Sequence, residues 1–497
     1  MPDARAGVRP REGSVGSAAV AEQAEHYDVV VIGGGPGGYA AALYGGSAGL
    51  KVALVERDKV GGTCLHRGCI PAKELLETAA THRHVRHAKE YGILAELTGV
   101  DWDVSMARKN TIVNGNWKGL QSTLKRRGTT TYAGTGTLNT GVAGGGVTDR
   151  TVTVTDADGG TQQLTGDAVI LAAGSVPRTI PGFDVDGTIV VTSDELLDLP
   201  KLPATAVVIG GGAIGCEFAS MLADLGTKVT ILEGLPKILP GCDDDVAKVV
   251  VKSFGRKGID IRAGVKVTGH EPRDGGGTVV QVEGGDPVET DLVVVSVGRR
   301  PFSESLGLDG SGIEVDERGF VKIDELCRTS VEGVWAIGDL VATPALAHVG
   351  FAEAIVAIKD ILGEDPVPVD YGKVPWAIYC SPEVAFAGMS EQAAKDAGHD
   401  VVTYSSQFSH NARSMIVNQP EGLVKVIAAK DADGKAGQVL GVHMVGPWVT
   451  EQLGGGYLAV NWEATVDEVA HFIQPHPTMS EVFGEAFLAI AGRPLHG

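Results

Sequence analysis

Cys64 and Cys69 stand five positions apart in the stretch Gly61-Gly62-Thr63-Cys64-Leu65-His66-Arg67-Gly68-Cys69-Ile70-Pro71-Ala72-Lys73. Two thiols so spaced can share a redox-active disulfide if the chain bends. In an ideal helix they would be separated by roughly 7.5 Å of axial rise, whereas an S–S bond needs Cα atoms within roughly 7 Å. Gly68 and Pro71 flank the second cysteine and predict a distorted or delayed helix start, with a regular helix from Lys73 to Ala80. Two ordinary thiols or half of a metal site are the other readings. Zinc pairs, however, take two to four intervening residues and a second pair, and the other cysteines, Cys216, Cys242, Cys327 and Cys380, are scattered. A second candidate centre is Pro475-His476-Pro477-Thr478-Met479-Ser480-Glu481. His476 can exchange a proton near neutral pH, and Glu481 can hold its ring and stabilise the imidazolium. A turn histidine between two prolines is the bland alternative.

What positions these groups is a pair of nucleotide folds. Asp28–Ile32 is a short β-branched run leading into Gly33-Gly34-Gly35-Pro36-Gly37-Gly38, then an alanine-rich helix, then a strand ending in Glu56. A lone G-x-G-x-x-G is weak, but strand, turn, helix and second strand are its required context. Gly33 permits the tight turn, Gly35 lets backbone approach a pyrophosphate, Gly38 lets helix and strand pack, and Glu56 can accept from a ribose. The pattern recurs: Ala206–Ile209, then Gly210, Gly212 and Gly215, a helix through Leu225, and a strand ending in Glu233. Glu233 repels a 2′-phosphate and accepts from a free 2′-hydroxyl, which favours NAD over NADP. Gly174 ends a buried strand, Gly298 follows another, and Gly338-Asp339 puts a glycine and a carboxylate where a polyol can bind. Gly62, Thr63 and Ala347 complete the candidate cofactor contacts.

At 497 residues, 43% of them hydrophobic, the chain has material for about three cores. A net charge of −20 disfavours nucleic acid and anionic membrane, and six cysteines are a cytosolic level of usage. No stretch has eighteen consecutive apolar residues, and residues 1–25 read as a disordered tail without a signal peptide, so a cytoplasmic protein is expected. His82, His84 and His87 alternate with Arg83 and Arg86 and read as a solvated helix face; no metal site is expected. Residues 128–165 suggest a small antiparallel meander turning at Gly141–Gly146, followed by a separate strand from Ala168. Candidate helices in the last third are Ser390–Gly398 and Thr450–Asn461.

From Tyr27 to the end, this order of motifs resembles the dihydrolipoamide dehydrogenases of the pyridine-nucleotide disulfide oxidoreductase flavoproteins. The resemblance implies an α/β fold with two Rossmann-like dinucleotide-binding domains and a C-terminal α+β dimerisation domain. The expected bounds are 26–179 for FAD and the redox disulfide, 180–296 for NAD, 297–367 for a second FAD-binding segment and 368–497 for a homodimer interface. It implies FAD on the first fingerprint, NAD on the second, and His476 and Glu481 as acid/base pair acting on the other subunit. Cys64 is then the sulfur attacked by substrate, Cys69 the one facing the flavin, and Lys73 and Glu217 a pair beside the flavin. His476-Pro477 is a candidate cis peptide. The expected partner is a dihydrolipoyl-bearing acyltransferase or carrier protein of a 2-oxo acid dehydrogenase or glycine cleavage system. Leu65-His66-Arg67-Gly68 departs from the commoner Leu-Asn-Val-Gly. Two alternatives stay open: a reductase of a low-molecular-weight disulfide such as glutathione or mycothiol, and a non-catalytic flavoprotein scaffold of a multienzyme complex.

Overall fold

The structure is a computed structural model and describes residues 24–139 and 150–496; the expected tail through residue 23 and the Gly141–Gly146 turn lie outside the described residues. The first unit opens with β1 (Glu25–Ile32), α1 (Pro36–Ser47) and β2 (Val52–Glu56). Glu25, assigned from sequence to the tail, already pairs with Leu164. Two helices follow, α2 (Gly62–Arg67) and α3 (Cys69–Arg86), then the long α4 (Trp102–Arg126), whose first turn is capped by the Asp101 carboxylate accepting from Val104 N at 3.0 Å. The strands β3 (Thr130–Ala133), β4 (Thr135–Leu138), β5 (Thr151–Thr155) and β6 (Thr161–Leu171) complete this stretch.

The meander differs from the sequence reading in two ways. β3 joins β2 as a parallel strand, and β6 is one strand of 11 residues rather than a hairpin arm plus a later strand. Its first half pairs antiparallel with β5, and its length runs parallel beside β1. Beyond β6 the sheet is completed from far along the chain, by Val334–Ala336 pairing parallel with Val169–Leu171. The apolar faces of α1 and the helix Ala347–Ile361 bury Ala41, Ala42, Ala354, Ala357 and Ile358 against this sheet. Strands covered on both faces read as continuous apolar runs, as Val29–Ile32 and Ala168–Leu171 do.

The second unit is a parallel sheet in the order Asp260–Ala263, Lys228–Glu233, Thr205–Ile209, Leu292–Val295, Val190–Val191. A three-stranded antiparallel sheet, Val267–Pro272, Thr278–Val282 and Val288–Thr290, accompanies it. The third unit is a five-stranded antiparallel sheet from Trp376 to Gly446, covered by the helices Val449–Asn461 and Glu481–Ile490. Leu75 and Leu76 of α3, Phe218 and Leu222 of the second unit, and Ile378 and Val384 of the third share one apolar cluster, so the three units meet beside the cysteine segment.

An ionic hub joins the second and third units. Lys425 Nζ, on a side chain 4% exposed, donates to Asp243 at 2.9 Å, Asp245 at 2.8 Å and Glu391 at 2.7 Å. The buried His443 accepts from Asp243 N through Nδ1 at 3.2 Å; burial pushes its pKa down to about 4, which keeps it neutral.

Candidate functional site

The bend required between the cysteines is a break between two helices. Gly68, at φ −147° and ψ −117°, separates α2 from α3; a Cβ there would lie 3.0 Å from Thr63 O. The helix resumes at Cys69 itself, earlier than Lys73. The two thiols are free and partly buried, one on each side of this break. The neighbouring Cys64 thiol is the main cause holding Cys69 down to about 7, with burial opposing and the Lys73 charge helping. The Cys69 sulfur, then burial, drives Cys64 far up. One sulfur is thus disposed to be a thiolate and the other a thiol. Tyr39 of α1 also feels both sulfurs, and burial first, then their charge, pushes its phenol up to about 12. His66 and Arg67, the departure from the commoner motif, fold back on the preceding loop. His66 Nε2 bonds Val60 O at 3.0 Å, and Arg67 donates to Asp58 at 2.6 Å.

One helical turn past Cys69, Lys73 Nζ donates to both oxygens of Glu217 at 2.9 Å. Glu217 belongs to the helix Ala213–Asp224 of the second unit and its side chain is 7% exposed. Burial works to lower the Lys73 pKa, but the Glu217 carboxylate and Cys69 raise it, so the ammonium stays charged beside the sulfurs.

The two fingerprints are built alike to the atom. Cβ atoms at Gly38 and Gly215 would fall 1.7 and 1.9 Å from the carbonyl oxygens of Gly33 and Gly210, the close helix–strand approach that only glycine allows. A Cβ at Gly35 or Gly212 would meet no heavy atom within 4 Å, so each turn leaves an open cradle at a helix N-terminus, suited to a pyrophosphate. Glu56 accepts from Gly34 N at 2.7 Å and Asp58 N at 2.8 Å; Glu233 accepts from Gly211 N at 2.5 Å and Leu235 N at 2.6 Å. Each carboxylate oxygen keeps a further lone pair for a ribose hydroxyl. Gly62 and Thr63 open α2, and a Cβ at Gly62 would lie 2.6 Å from Gly35 Cα, which brings the cysteine segment against the first cradle. These features fit a dinucleotide at each fingerprint.

Gly338 and Asp339 follow the inserted strand Val334–Ala336. Asp339 accepts from Ser175 Oγ at 2.5 Å, and Arg299 Nε donates to the same hydroxyl at 2.7 Å. Gly174, Gly298 and Gly338 all adopt positive φ, +71°, +103° and +70°, around this junction, and Ala347 starts the helix behind it. Sequence reasoning missed Glu353 on that helix. It is fully buried and accepts from Gly338 N at 2.6 Å, Thr343 Oγ1 at 2.8 Å and Tyr371 OH at 3.0 Å. Burial raises its pKa against the pull of those donors. The available signal was a single carboxylate within the apolar run Val349–Ile358.

His476 Nδ1 lies 2.8 Å from Glu481 Oε1, and Glu481 Oε2 accepts from Thr478 N at 2.8 Å. These donors hold the Glu481 carboxyl below its usual range although burial opposes them. The peptides His476-Pro477 and Ser381-Pro382 are cis. The His476 side chain is 74% exposed. Among the described residues no hydrogen bond or ion pair joins His476 or Glu481 to the cysteine pair of the same chain. Of the histidine cluster, His84 on α3 and His87 just past its end are exposed as a solvated face requires, whereas His82 is partly buried. No helix among the described residues is long and apolar enough to cross a membrane.

The family model described as pyridine nucleotide-disulphide oxidoreductase matches residues 27–354, and its dimerisation domain matches residues 374–487. A dihydrolipoyl dehydrogenase of Bacillus subtilis is 38% identical over 478 residues, covering 95% of this chain and 100% of the relative. One from Mycobacterium bovis is 37% identical over 477 residues, covering 95% and 99%. The crystal structure of LpdA from Mycobacterium tuberculosis superposes with a TM-score of 0.87 at 27% identity, covering 94% of this chain and 99% of that one.

Proposed function

The chain belongs to the pyridine nucleotide-disulphide oxidoreductase family, and from that premise we propose that it is a dihydrolipoyl dehydrogenase, an FAD-containing, NAD-dependent oxidoreductase. It oxidises protein-bound dihydrolipoyl groups to the cyclic disulfide and reduces NAD+ to NADH. The observation that carries this reading is the Cys64/Cys69 pair, split by the Gly68 helix break, followed one turn on by the Lys73–Glu217 ion pair and set against the first of two dinucleotide cradles. FAD would be held by Gly33, Gly35, Gly38, Glu56, Gly62, Thr63, Lys73, Gly174, Gly338, Asp339 and Ala347. NAD would be held by Gly210, Gly212, Gly215, Glu233 and Gly298, with Glu217 bound to Lys73 beside the flavin. Bound in these places, FAD would supply the redox centre between the thiols and the nicotinamide.

The residues of the chain supply the thiol chemistry. His476, oriented by Glu481, takes the proton of one dihydrolipoyl thiol, since only a thiolate attacks a disulfide. That thiolate forms a bond to Cys64 Sγ, the Cys64–Cys69 bond breaks, and Cys69 departs as thiolate. A low thiol pKa makes Cys69 the better leaving group, and the Lys73 ammonium stabilises the charge it carries away. The second substrate thiol then attacks the first substrate sulfur, closes the lipoyl ring and releases Cys64, whose high pKa takes up the proton. The substrate loses two electrons and two protons, and the enzyme disulfide gains the electrons. Because His476 is exposed and unlinked to its own cysteine pair, we assign the pair it serves to the second subunit of a homodimer formed by the third unit. Buried Glu233, with no arginine closely following it in the sequence, favours NAD, which weighs against a glutathione or mycothiol reductase; a scaffold would have no use for the thiol pair.

The test is a paired assay of FAD-loaded protein, dihydrolipoamide with NAD+ against glutathione disulfide with NADPH. NADH production in the first alone is expected; turnover in the second alone, or in neither, rejects the reading. Cys69→Ser should retain bound FAD and lose thiol-linked turnover.

A further inference from the structure

We propose that Tyr379 is a positioning residue for the thiol pair, its ring and its main-chain N–H together fixing the Lys73 ammonium and the Glu217 carboxylate in the place from which they act on Cys69. This rests on the reading of Cys69 as the thiolate of the pair. Tyr379 follows the strand Trp376–Ile378 of the third unit, whereas Lys73 and Glu217 come from the first and second. Its N–H donates to Glu217 Oε1 at 2.9 Å, the same oxygen that accepts from Lys73 Nζ. Its ring lies under the Lys73 ammonium, 4.9 Å from Nζ to the ring centroid, within the roughly 6 Å reach of a cation–π contact. The segment cannot drift, because two residues further on Ser381 N donates to the fully buried Ser220 Oγ at 3.0 Å. The strand end is thereby clipped to the helix Ala213–Asp224 at two points, one on either side of Cys380.

The need for a third wall follows from exposure. Glu217 is buried, but the Lys73 side chain is 34% exposed, and a lysine held only at its tip keeps several rotamers for its four-carbon stem. Burial raises the pKa of the Tyr379 phenol against the Lys73 charge, so the residue acts on the cation through a neutral ring. The groups facing Cys69 are Cys64 on α2, Lys73 on α3, Glu217 on the second unit's helix and Tyr39 on α1. Only Lys73 is a cation among them, so the thiolate's stabilisation by charge depends on where that ammonium is held.

The experiment uses the FAD-loaded protein carrying Cys64→Ser, which keeps a hydroxyl donor beside Cys69, and measures the rate of iodoacetamide modification of Cys69 by mass spectrometry between pH 5 and 9. Flavin absorbance reports an intact fold. Tyr379→Leu keeps the N–H and removes the ring face. It should move the midpoint up by about half to one pH unit and slow modification at pH 7 about two- to five-fold. Tyr379→Met, bulkier without a ring, serves where the leucine variant loses flavin. Tyr379→Phe should keep the parental profile, and Tyr379→Leu added to Lys73→Met should change nothing further. An unmoved profile in the leucine or methionine variant, a phenylalanine variant that behaves like leucine, or an undiminished effect without Lys73 overturns the inference. A parent protein without an ionisation near neutral pH would instead overturn the reading of Cys69 on which it stands.

Discussion

Replacing Lys425 by methionine tests how the second and third units are held together. Its ammonium serves three carboxylates, of which Asp243 has a side chain only 2% exposed. Removing the cation leaves that charge buried without its partner, a change that costs about 3–5 kcal/mol; the more exposed Asp245 and Glu391 recover their loss in water. How far this moves the melting point depends on what melts. At roughly 2.1 cal/mol/K per residue, the whole chain has an unfolding entropy of about 1 kcal/mol/K, and 4 kcal/mol shifts its midpoint by about 4 °C. A third unit of the extent matched by the dimerisation domain, residues 374–487, has about 0.24 kcal/mol/K, and the same loss shifts its transition by about 17 °C. Calorimetry of the FAD-loaded protein should therefore show an early transition separating from the main one. The double variant Lys425→Met with Asp243→Asn should recover part of the loss. The sign with pH is fixed: Lys425 holds Asp245 below its usual range, Lys395 and then Lys425 do so for Glu391, and Lys425 lowers Asp243 against burial. The hub's contribution is thus complete above the unfolded carboxyl value of about 4 and is lost as pH falls through the lower folded values. The gap between parent and variant should narrow in acid. A Lys425→Met protein that melts within 1 °C of the parent at neutral pH, roughly 1 kcal/mol or less by the same scale, would refute the argument.

Three further outcomes are expected. In the reduced protein, absorbance at 240 nm should rise by one thiolate, not two, between pH 6 and 8, because Cys69 is held near 7 and Cys64 far above it. Gly212→Ala should fold and retain FAD, since its Cβ meets no heavy atom within 4 Å, but the methyl occupies the second cradle and should raise the KM for NAD+ by about ten-fold or more; an unchanged KM would remove the nucleotide from that turn. Mixing inactive His476→Ala and Cys64→Ser proteins should restore part of the activity after subunit exchange, and no recovery after verified exchange would count against an acid/base pair that works across the dimer.

The parts of the molecule legible in sequence are those whose geometry is dictated within a few residues. Gly38 and Gly215 approach a carbonyl on their own turn, and Gly68 breaks a helix next to its own cysteine, so spacing carries the information. The Glu56 and Glu233 carboxylates are close in sequence to the N–H groups they bind. What depends on distant segments was hidden. β6 reads as two strands because its early residues alternate as an antiparallel arm, while Ala168–Leu171 are covered on both faces by helices further along the chain. β3 reads as meander for the same local reason, although its partner is β2. Glu353 and Tyr379 act on groups brought from other elements, and nothing in their neighbouring residues announces a bond to Gly338 or a place under Lys73. The helix Glu391–Asp396 was found nearly in register, yet its role in the hub depends on Lys425, on another strand.

The strand Val334–Ala336 completes the first sheet only after 165 further residues, counting from Leu171 to its partner Ala336, have been made. At about 5–20 residues per second, a ribosome takes roughly 8–30 s to cross that distance. During that interval the apolar β6 end has no neighbour on one side, and Ser175 has no Asp339 to bind. An unpaired strand edge invites pairing with other chains, so the first nucleotide fold waits, incomplete, on synthesis of the second. Where Asp339 holds FAD as proposed above, flavin capture waits on translation of the middle of the chain, and a nascent chain stalled before residue 334 should bind chaperone rather than cofactor.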